Sequence, residues 1–375
     1  MSRPLNVILD LTERCNLKCI MCYFSATDRL QFPPFDVAGP PDGNMTVPVF
    51  EKIAADLFPR ARRVALGCAA EPMIHPKFKE IVAIAGRYGV PDLWFPTNLL
   101  ALTEPTAQAL IDAGVTTIAA SIDGVTKNTY EKIRVPAKFE RLTASLELLA
   151  RVKKERRARR PNLRIIFTWM KSNRSELADL PAFAERHGAV ELDVRYVSRT
   201  VGVDVGPELL SDEDARELNA ELARAAKDAV RRGIRLSSYP EFETEEEKPT
   251  HLLGRARRRL WRWKAGMDRF EYLRYSWYQR LNGCAYPDRN VVIRPNGAVN
   301  PCIYWEGDPI GFYPAGDLAA FTAGAPLARI RNGLRFGLPV GTCAGCSERR
   351  TSLYRLRGGE AERQPAVASL PTLPQ

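Results

Sequence analysis

Six short apolar runs, each followed by a stretch with helical periodicity, constrain this chain more than any other feature. They fall at residues 6–12, 64–67, 93–96, 117–122, 164–168 and 190–196. Several are continuously apolar, as strands buried on both faces are. The helices between them have readable ends. Thr46 precedes a helix expected through Phe58, with Pro48 in its first turn. Thr103 precedes another, and Gly114 supplies a left-handed stop. Strand and helix in alternation predict an α/β fold with a parallel sheet. Six such units suit a barrel, complete or partial. Ser211 is expected to open a further helix, with a capping box from Asp214 and a stop at Gly233. "IRLSSYP" then reads as one more strand.

The first run leads directly into "TERCNLKCIMCYF", which sets Cys15, Cys19 and Cys22 in a C-x3-C-x2-C spacing. The N-terminus lacks the layout of a signal peptide, and no window is long and apolar enough to span a bilayer. A cytoplasmic location is expected, where cysteines serve metals or catalysis before disulfides. Three thiolates cannot close a structural zinc site, which takes four ligands. They can hold three irons of a 4Fe-4S cluster and leave the fourth iron open to a substrate or cofactor.

This stretch resembles the signature of the radical S-adenosylmethionine (radical SAM) superfamily. The resemblance implies a partial (β/α)6 TIM-like barrel and a cluster on Cys15, Cys19 and Cys22. It also implies reductive cleavage of S-adenosylmethionine to a 5′-deoxyadenosyl radical that takes hydrogen from a substrate. Further motifs follow at the ends of later strands, where the loops of a barrel gather ligands. "LGCAAEP" resembles the Gly-Gly-Glu-Pro segment, with Glu71 as the residue that would hold the methionine amino group. Cys68, Ala69 and Ala70 occupy its glycine region. "FPTN" brings Thr97 and Asn98. "SIDG" brings Ser121 and Asp123 and resembles the segment that contacts ribose and carboxylate, and Arg134 in "YEKIR" is a candidate partner for the SAM carboxylate. Taken singly, each of these is also ordinary turn chemistry. Cys68 reads first as a small buried residue filling a glycine slot, and second as a thiol able to return a hydrogen atom. Lys171, Arg195 and Tyr196, near later strand ends, are further catalytic candidates. The proline-bearing loop 23–44 has the length of a lid or binding segment.

A second set, Cys284, Cys302, Cys343 and Cys346, lies near the C-terminus. "NVVIRPNGAVN" reads as a β-hairpin with one cysteine near each end, and "GTCAGC" supplies a C-x2-C pair. By spacing alone a zinc ribbon competes. Cys284, then Gly297 ahead of Cys302, then the pair, resembles a twitch domain, the truncated relative of the SPASM domain. That resemblance implies an auxiliary 4Fe-4S cluster with all four irons held by protein. The expected division is 1–205 for the barrel, 206–282 for a connecting helix, strand and basic/aromatic insert, 283–350 for the twitch domain and 351–375 for a disordered tail.

Net charge is +11, much of it in Arg151–Arg160 and Arg255–Lys264. The first run reads as a solvated helix face. A basic surface also suits an acidic electron donor such as flavodoxin or ferredoxin. The expected activity is a radical SAM oxidoreductase, dehydrogenase-like, acting on a small, carbohydrate-like or peptide substrate. The alternatives are a radical SAM epimerase or peptide-modifying enzyme and, from another class, a zinc-binding basic nucleic-acid module.

Overall fold

The apolar runs pair side by side in chain order, because each is a strand whose two edges need neighbours. The computed structural model describes residues 5–27, 40–197, 203–211, 214–238, 284, 286–303, 305, 307–336, 338 and 341–343. Strands β1 (Leu5–Leu9), β2 (Ala61–Ala65), β3 (Asp92–Thr97), β4 (Thr117–Ser121), β5 (Asn162–Trp169), β6 (Ala189–Tyr196) and β7 (Arg235–Ser238) form consecutive parallel pairs. Helices α1 (Val47–Leu57), α2 (Phe78–Gly86), α3 (Glu104–Asp112), α4 (Lys127–Ile133), α5 (Phe139–Glu155), α6 (Leu180–Arg186) and α7 (Ala215–Arg231) connect them. Alternation along β3 shows the division of faces: Leu93, Phe95 and Thr97 are buried, while Asp92, Trp94 and Pro96 are partly open.

The C-terminal hairpin adds to the opposite edge. β8 (Asn290–Ile293) pairs in parallel with β1, β9 (Ala298–Asn300) pairs antiparallel with β8, and β10 (Gly311–Phe312) pairs with β9. Sheet order is β10-β9-β8-β1-β2-β3-β4-β5-β6-β7 among the described residues. The sheet therefore runs across the division expected near residue 283. Val291, Ile293, Val299, Trp305 and Phe321 share one buried apolar cluster with Val7, Leu9 and Phe50.

The helix ends mostly follow the sequence. Thr103 Oγ1 accepts from the Thr106 amide, and Gly114 and Gly233 stop their helices at positive φ. Two details differ. Thr46 occupies the cap position of α1 without a side-chain bond to it, and the helix itself ends at Leu57. Instead of starting after Ser211, α7 begins at Ala215 with Asp214 at its cap position, and the Asp214 carboxylate, which makes no cap bond, lies 3.5 Å from Arg174. Of the basic run on α5, Arg151 pairs with Glu104 and Glu155, and Arg156 pairs with Asp112. The run Arg255–Lys264, most of the loop 23–44 and the tail 351–375 lie outside the described residues. Among those described, no helix is long and apolar enough to cross a membrane.

Candidate active site at the carboxyl ends of the strands

The parallel sheet brings the loops after β1 to β5 to one end, where short turns can present side chains to each other. After β1, buried Leu17 and Phe24 anchor the cysteine loop to the core. Two amides, those of Lys18 and Ile20, donate to the carbonyls of Val135 (2.6 Å) and Ile133 (3.0 Å). The loop is thus stitched to the end of α4. Cys19 is buried, and Cys15 and Cys22 are partly accessible. Burial pushes the Cys15 thiol up to about 12, with Glu71 adding to the rise. It pushes Cys19 up to about 11, opposed by the nearby Arg134.

After β2 the chain turns at Gly67, whose φ of +137° a side chain rarely adopts. It then delivers Glu71 into a buried position. Glu71 Oε1 accepts from Thr97 Oγ1 at 2.8 Å and the Met73 amide at 3.1 Å, and Oε2 from the Asn98 amide at 2.6 Å. Burial still raises its carboxyl to about 7. The Asn98 side chain donates to Asn16 Oδ1 at 2.7 Å, joining the β3 loop to the cysteine loop.

After β4, Asp123 is fully buried. One oxygen accepts from the Thr168 amide at 2.7 Å, and the other takes the Arg134 guanidinium through Nε at 2.7 Å and Nη2 at 2.5 Å. Burial works against the charged form of Arg134, and Asp123 more than offsets it, so its pKa is raised. Nη1 of Arg134 is not used in that pair. Ser121, at the end of β4, is half-buried. Behind Asp123 stands Asn173, which the sequence did not single out. Its Nδ2 donates to the carbonyls of Asp123 and Thr168, both at 2.9 Å, and its Oδ1 accepts from the Met170 amide at 2.8 Å. Glu176 accepts from the Val125 amide and the Thr126 hydroxyl. Both come from the turn after β5, where they lie in a continuous polar run, Lys171 to Glu176, that does not set them apart from their neighbours.

The structure thus brings together Cys15, Cys19, Cys22, Glu71, Thr97, Asn98, Asp123 and Arg134. Cys68 is not the buried filler expected: the residue is exposed. Asp10 accepts from the Cys68 and Ala69 amides, at 2.8 and 3.0 Å. Protein atoms nevertheless crowd around the thiol. That surrounding raises it to about 12, with Asp10 adding and Arg294 and Arg195 opposing. Arg195 pairs with Asp193 at 2.6 Å, Tyr196 is 41% exposed, and Lys171 is exposed on the turn after β5. Among the described residues, no three His, Cys, Asp or Glu side chains converge on a single metal ion. A cubane asks for no such convergence, since each of its thiolates takes a separate iron. Three thiols beside one buried cation fit that group by donor chemistry.

Of the second cysteine set, Cys284, Cys302 and Cys343 are partly buried against the main core. Trp305 lies between two of them. Its amide donates to the Cys302 carbonyl at 3.4 Å, and its ring borders Gly341, where the turn Gly341–Cys343 begins. Cys346 lies outside the described residues.

The radical SAM superfamily profile matches residues 9–168, the stretch that runs from the end of β1 into β5 and carries every group in the convergent site. This chain carries a radical SAM domain. The AdoMet-dependent heme synthase of Methanosarcina barkeri is 27% identical over 201 residues, 52% of each chain. Mycofactocin maturase MftC of Mycobacterium ulcerans is 26% identical over 207 residues, 55% of this chain and 51% of that one. The matches thus span about half the length of these relatives. Beyond the radical SAM domain, the fold is similar to that of Streptococcus suis SuiB bound to precursor peptide SuiA. The TM-score there is 0.62 at 16% identity, covering 89% of this chain and 67% of that one. The open parallel sheet is therefore a radical SAM partial barrel, and the superfamily implies a 4Fe-4S cluster and S-adenosylmethionine.

Proposed function

We propose that this protein is a radical SAM enzyme that oxidises its substrate by two electrons, with a second cluster on Cys284, Cys302, Cys343 and Cys346. The observation that carries the reading is the convergence of the cysteine loop with Glu71 and the Asp123–Arg134 pair. When bound, the first cluster supplies the electron that splits S-adenosylmethionine into methionine and a 5′-deoxyadenosyl radical, and the second is the acceptor for the electron a substrate radical gives up.

The chain's own residues bind and orient. Cys15, Cys19 and Cys22 hold three irons. Glu71 is fixed by three donors, only one of them on Oε2, so that oxygen can still take the methionine ammonium in a charge-assisted bond that also restores its ionised form. Arg134 offers Nη1 to the methionine carboxylate. Asp123 spends both oxygens on Arg134 and Thr168, so its part is to aim Arg134. Ser121 keeps its hydroxyl for the ribose, and Asn98 keeps its place through Asn16. Cys68, accessible and held as a thiol, is the group through which an epimerase would return a hydrogen atom. A peptide substrate is a second reading, favoured by the likeness to SuiB, which was solved with its precursor peptide. The net charge of +11 suits an acidic flavodoxin or ferredoxin as donor.

The test is anaerobic reconstitution with iron and sulfide. Two clusters correspond to about eight irons per chain. A Cys15→Ala, Cys19→Ala, Cys22→Ala variant should keep about half of that iron and form no 5′-deoxyadenosine from S-adenosylmethionine and dithionite. Cleavage by the triple variant would overturn the assignment.

A further inference from the structure

Asp10 and Arg294 touch none of the groups assigned to the cofactor, yet both are almost wholly buried. Asp10 ends the first apolar run, and Arg294 follows β8. Asp10 Oδ1 accepts from the Cys68 amide at 2.8 Å and the Ala69 amide at 3.0 Å. Asp10 Oδ2 takes Arg294 Nη1 at 2.6 Å. Arg294 Nη2 donates to the carbonyl of Ile303, the residue after Cys302, at 3.2 Å. The backbone repeats the link: the Asp10 amide donates to Ile293 at 2.9 Å, and the Arg294 amide to Ala298 at 2.9 Å. One buried ion pair therefore holds the turn that delivers Glu71 and the strand end that delivers Cys302.

Fastening the hairpin to the barrel does not require this pair. Parallel pairing of β8 with β1 and the shared apolar cluster already fasten it. A second polar tie does so at a distance from the site: Asp56 Oδ2 accepts from the Tyr313 hydroxyl at 2.5 Å and from the Leu318 amide at 2.7 Å. A buried ion pair is also poor as a source of stability, because its desolvation offsets its attraction. What it provides is a fixed mutual position, since moving either partner costs the other a buried charge-assisted hydrogen bond.

We propose that Asp10 and Arg294 are positioning residues that couple the two cysteine sites. The Cys68–Glu71 segment keeps its cofactor-binding conformation only while the Cys302 segment is seated, so affinity for S-adenosylmethionine depends on the second site. The inference rests on the reading of the first site given above. Linkage makes the coupling reciprocal: S-adenosylmethionine bound at the first site steadies the strand that carries the second.

The experiment uses the reconstituted holoenzyme, with S-adenosylmethionine affinity from anaerobic equilibrium dialysis and amide hydrogen exchange read at 66–72 and 290–303. In the wild type, S-adenosylmethionine should slow exchange in both segments. Arg294→Met should weaken binding by about tenfold, within the range usual for coupled sites, and abolish the protection at 290–303. Asp56→Asn loosens the remote tie and should change affinity by about twofold or less, as independent sites do. Equal affinity in wild type and Arg294→Met overturns the proposal, and so does an equal loss in Asp56→Asn, which would mean simple docking. If Arg294→Met does not fold, wild-type exchange decides alone: no protection at 290–303 on adding S-adenosylmethionine overturns the coupling. A wild type that binds no S-adenosylmethionine removes the reading of the first site and the coupling with it.

Discussion

Replacing Asn173 by alanine tests whether the turn after β5 positions Asp123 and Arg134. The side chain is wholly buried and makes three hydrogen bonds, two given and one received. Asn173→Ala strands the carbonyls of Asp123 and Thr168 and the amide of Met170 away from water. A net hydrogen bond is worth about 1 kcal/mol, and an unsatisfied buried group costs about 1–3, so the loss should come to about 3–5 kcal/mol. Asn173→Asp separates the two halves of the effect. It can still accept from Met170, but it sets carboxylate oxygen against two carbonyl oxygens, so it should destabilise at least as much. Urea denaturation gives the stability change, and equilibrium dialysis gives S-adenosylmethionine affinity. The Asp123 carboxylate aims Arg134, so affinity should fall in any Asn173→Ala fraction that stays folded. A stability change within about 0.5 kcal/mol, the size of an ordinary surface substitution, would refute the reasoning. So would unaltered affinity in a clearly destabilised protein, which would confine Asn173 to structure.

His75 should make stability depend on pH. Its ring is buried, Nδ1 accepts from the Lys77 amide at 3.0 Å, and Nε2 therefore donates to the Met45 carbonyl at 2.9 Å. Burial lowers its pKa from the ordinary 6.5, so its contribution is complete above that value and is lost as pH falls through the lower folded value. Stability should fall with pH there, by no more than about 1.4 kcal/mol per pH unit, and His75→Gln should flatten the fall; denaturation midpoints at pH 7.5 and 5.5 that move together in both proteins would show otherwise. Gly297→Ala should destabilise the hairpin. The residue sits at φ +83° and an added Cβ would lie 2.2 Å from the Tyr313 carbonyl oxygen, so the cost exceeds the roughly 1–2 kcal/mol of the left-handed backbone, and an unchanged melting midpoint counts against it. At saturating S-adenosylmethionine, Cys343→Ala with Cys346→Ala should leave 5′-deoxyadenosine formation intact and stop product formation. Full product from that variant, with loss of product in Cys68→Ala, would favour the epimerase over the oxidase.

The sequence alone determined whatever is local. Strand runs, helix stops at glycine and the hairpin around Gly297 are set by periodicity and by which residues tolerate a left-handed backbone. The three-cysteine loop is legible for the same reason: its cysteines lie within eight consecutive residues, Cys15 to Cys22. Glu71, Asn98 and Arg134 were singled out by the resemblance of their segments to radical SAM motifs, met in order along the chain. The tertiary structure decided what those residues do to one another. Asp123 is spent on Arg134, and Cys68 is exposed while its amide is held by Asp10. β8 lies beside β1 rather than β7, since a strand joins whichever free edge and apolar face fit it. The pair that binds the two sites, Asp10 and Arg294, is separated by 284 positions. Nothing in the chemistry of an aspartate after one strand and an arginine after another reveals that they meet. A hydrogen bond is a statement about distance in space, and only the packed sheet brings that distance to 2.6 Å.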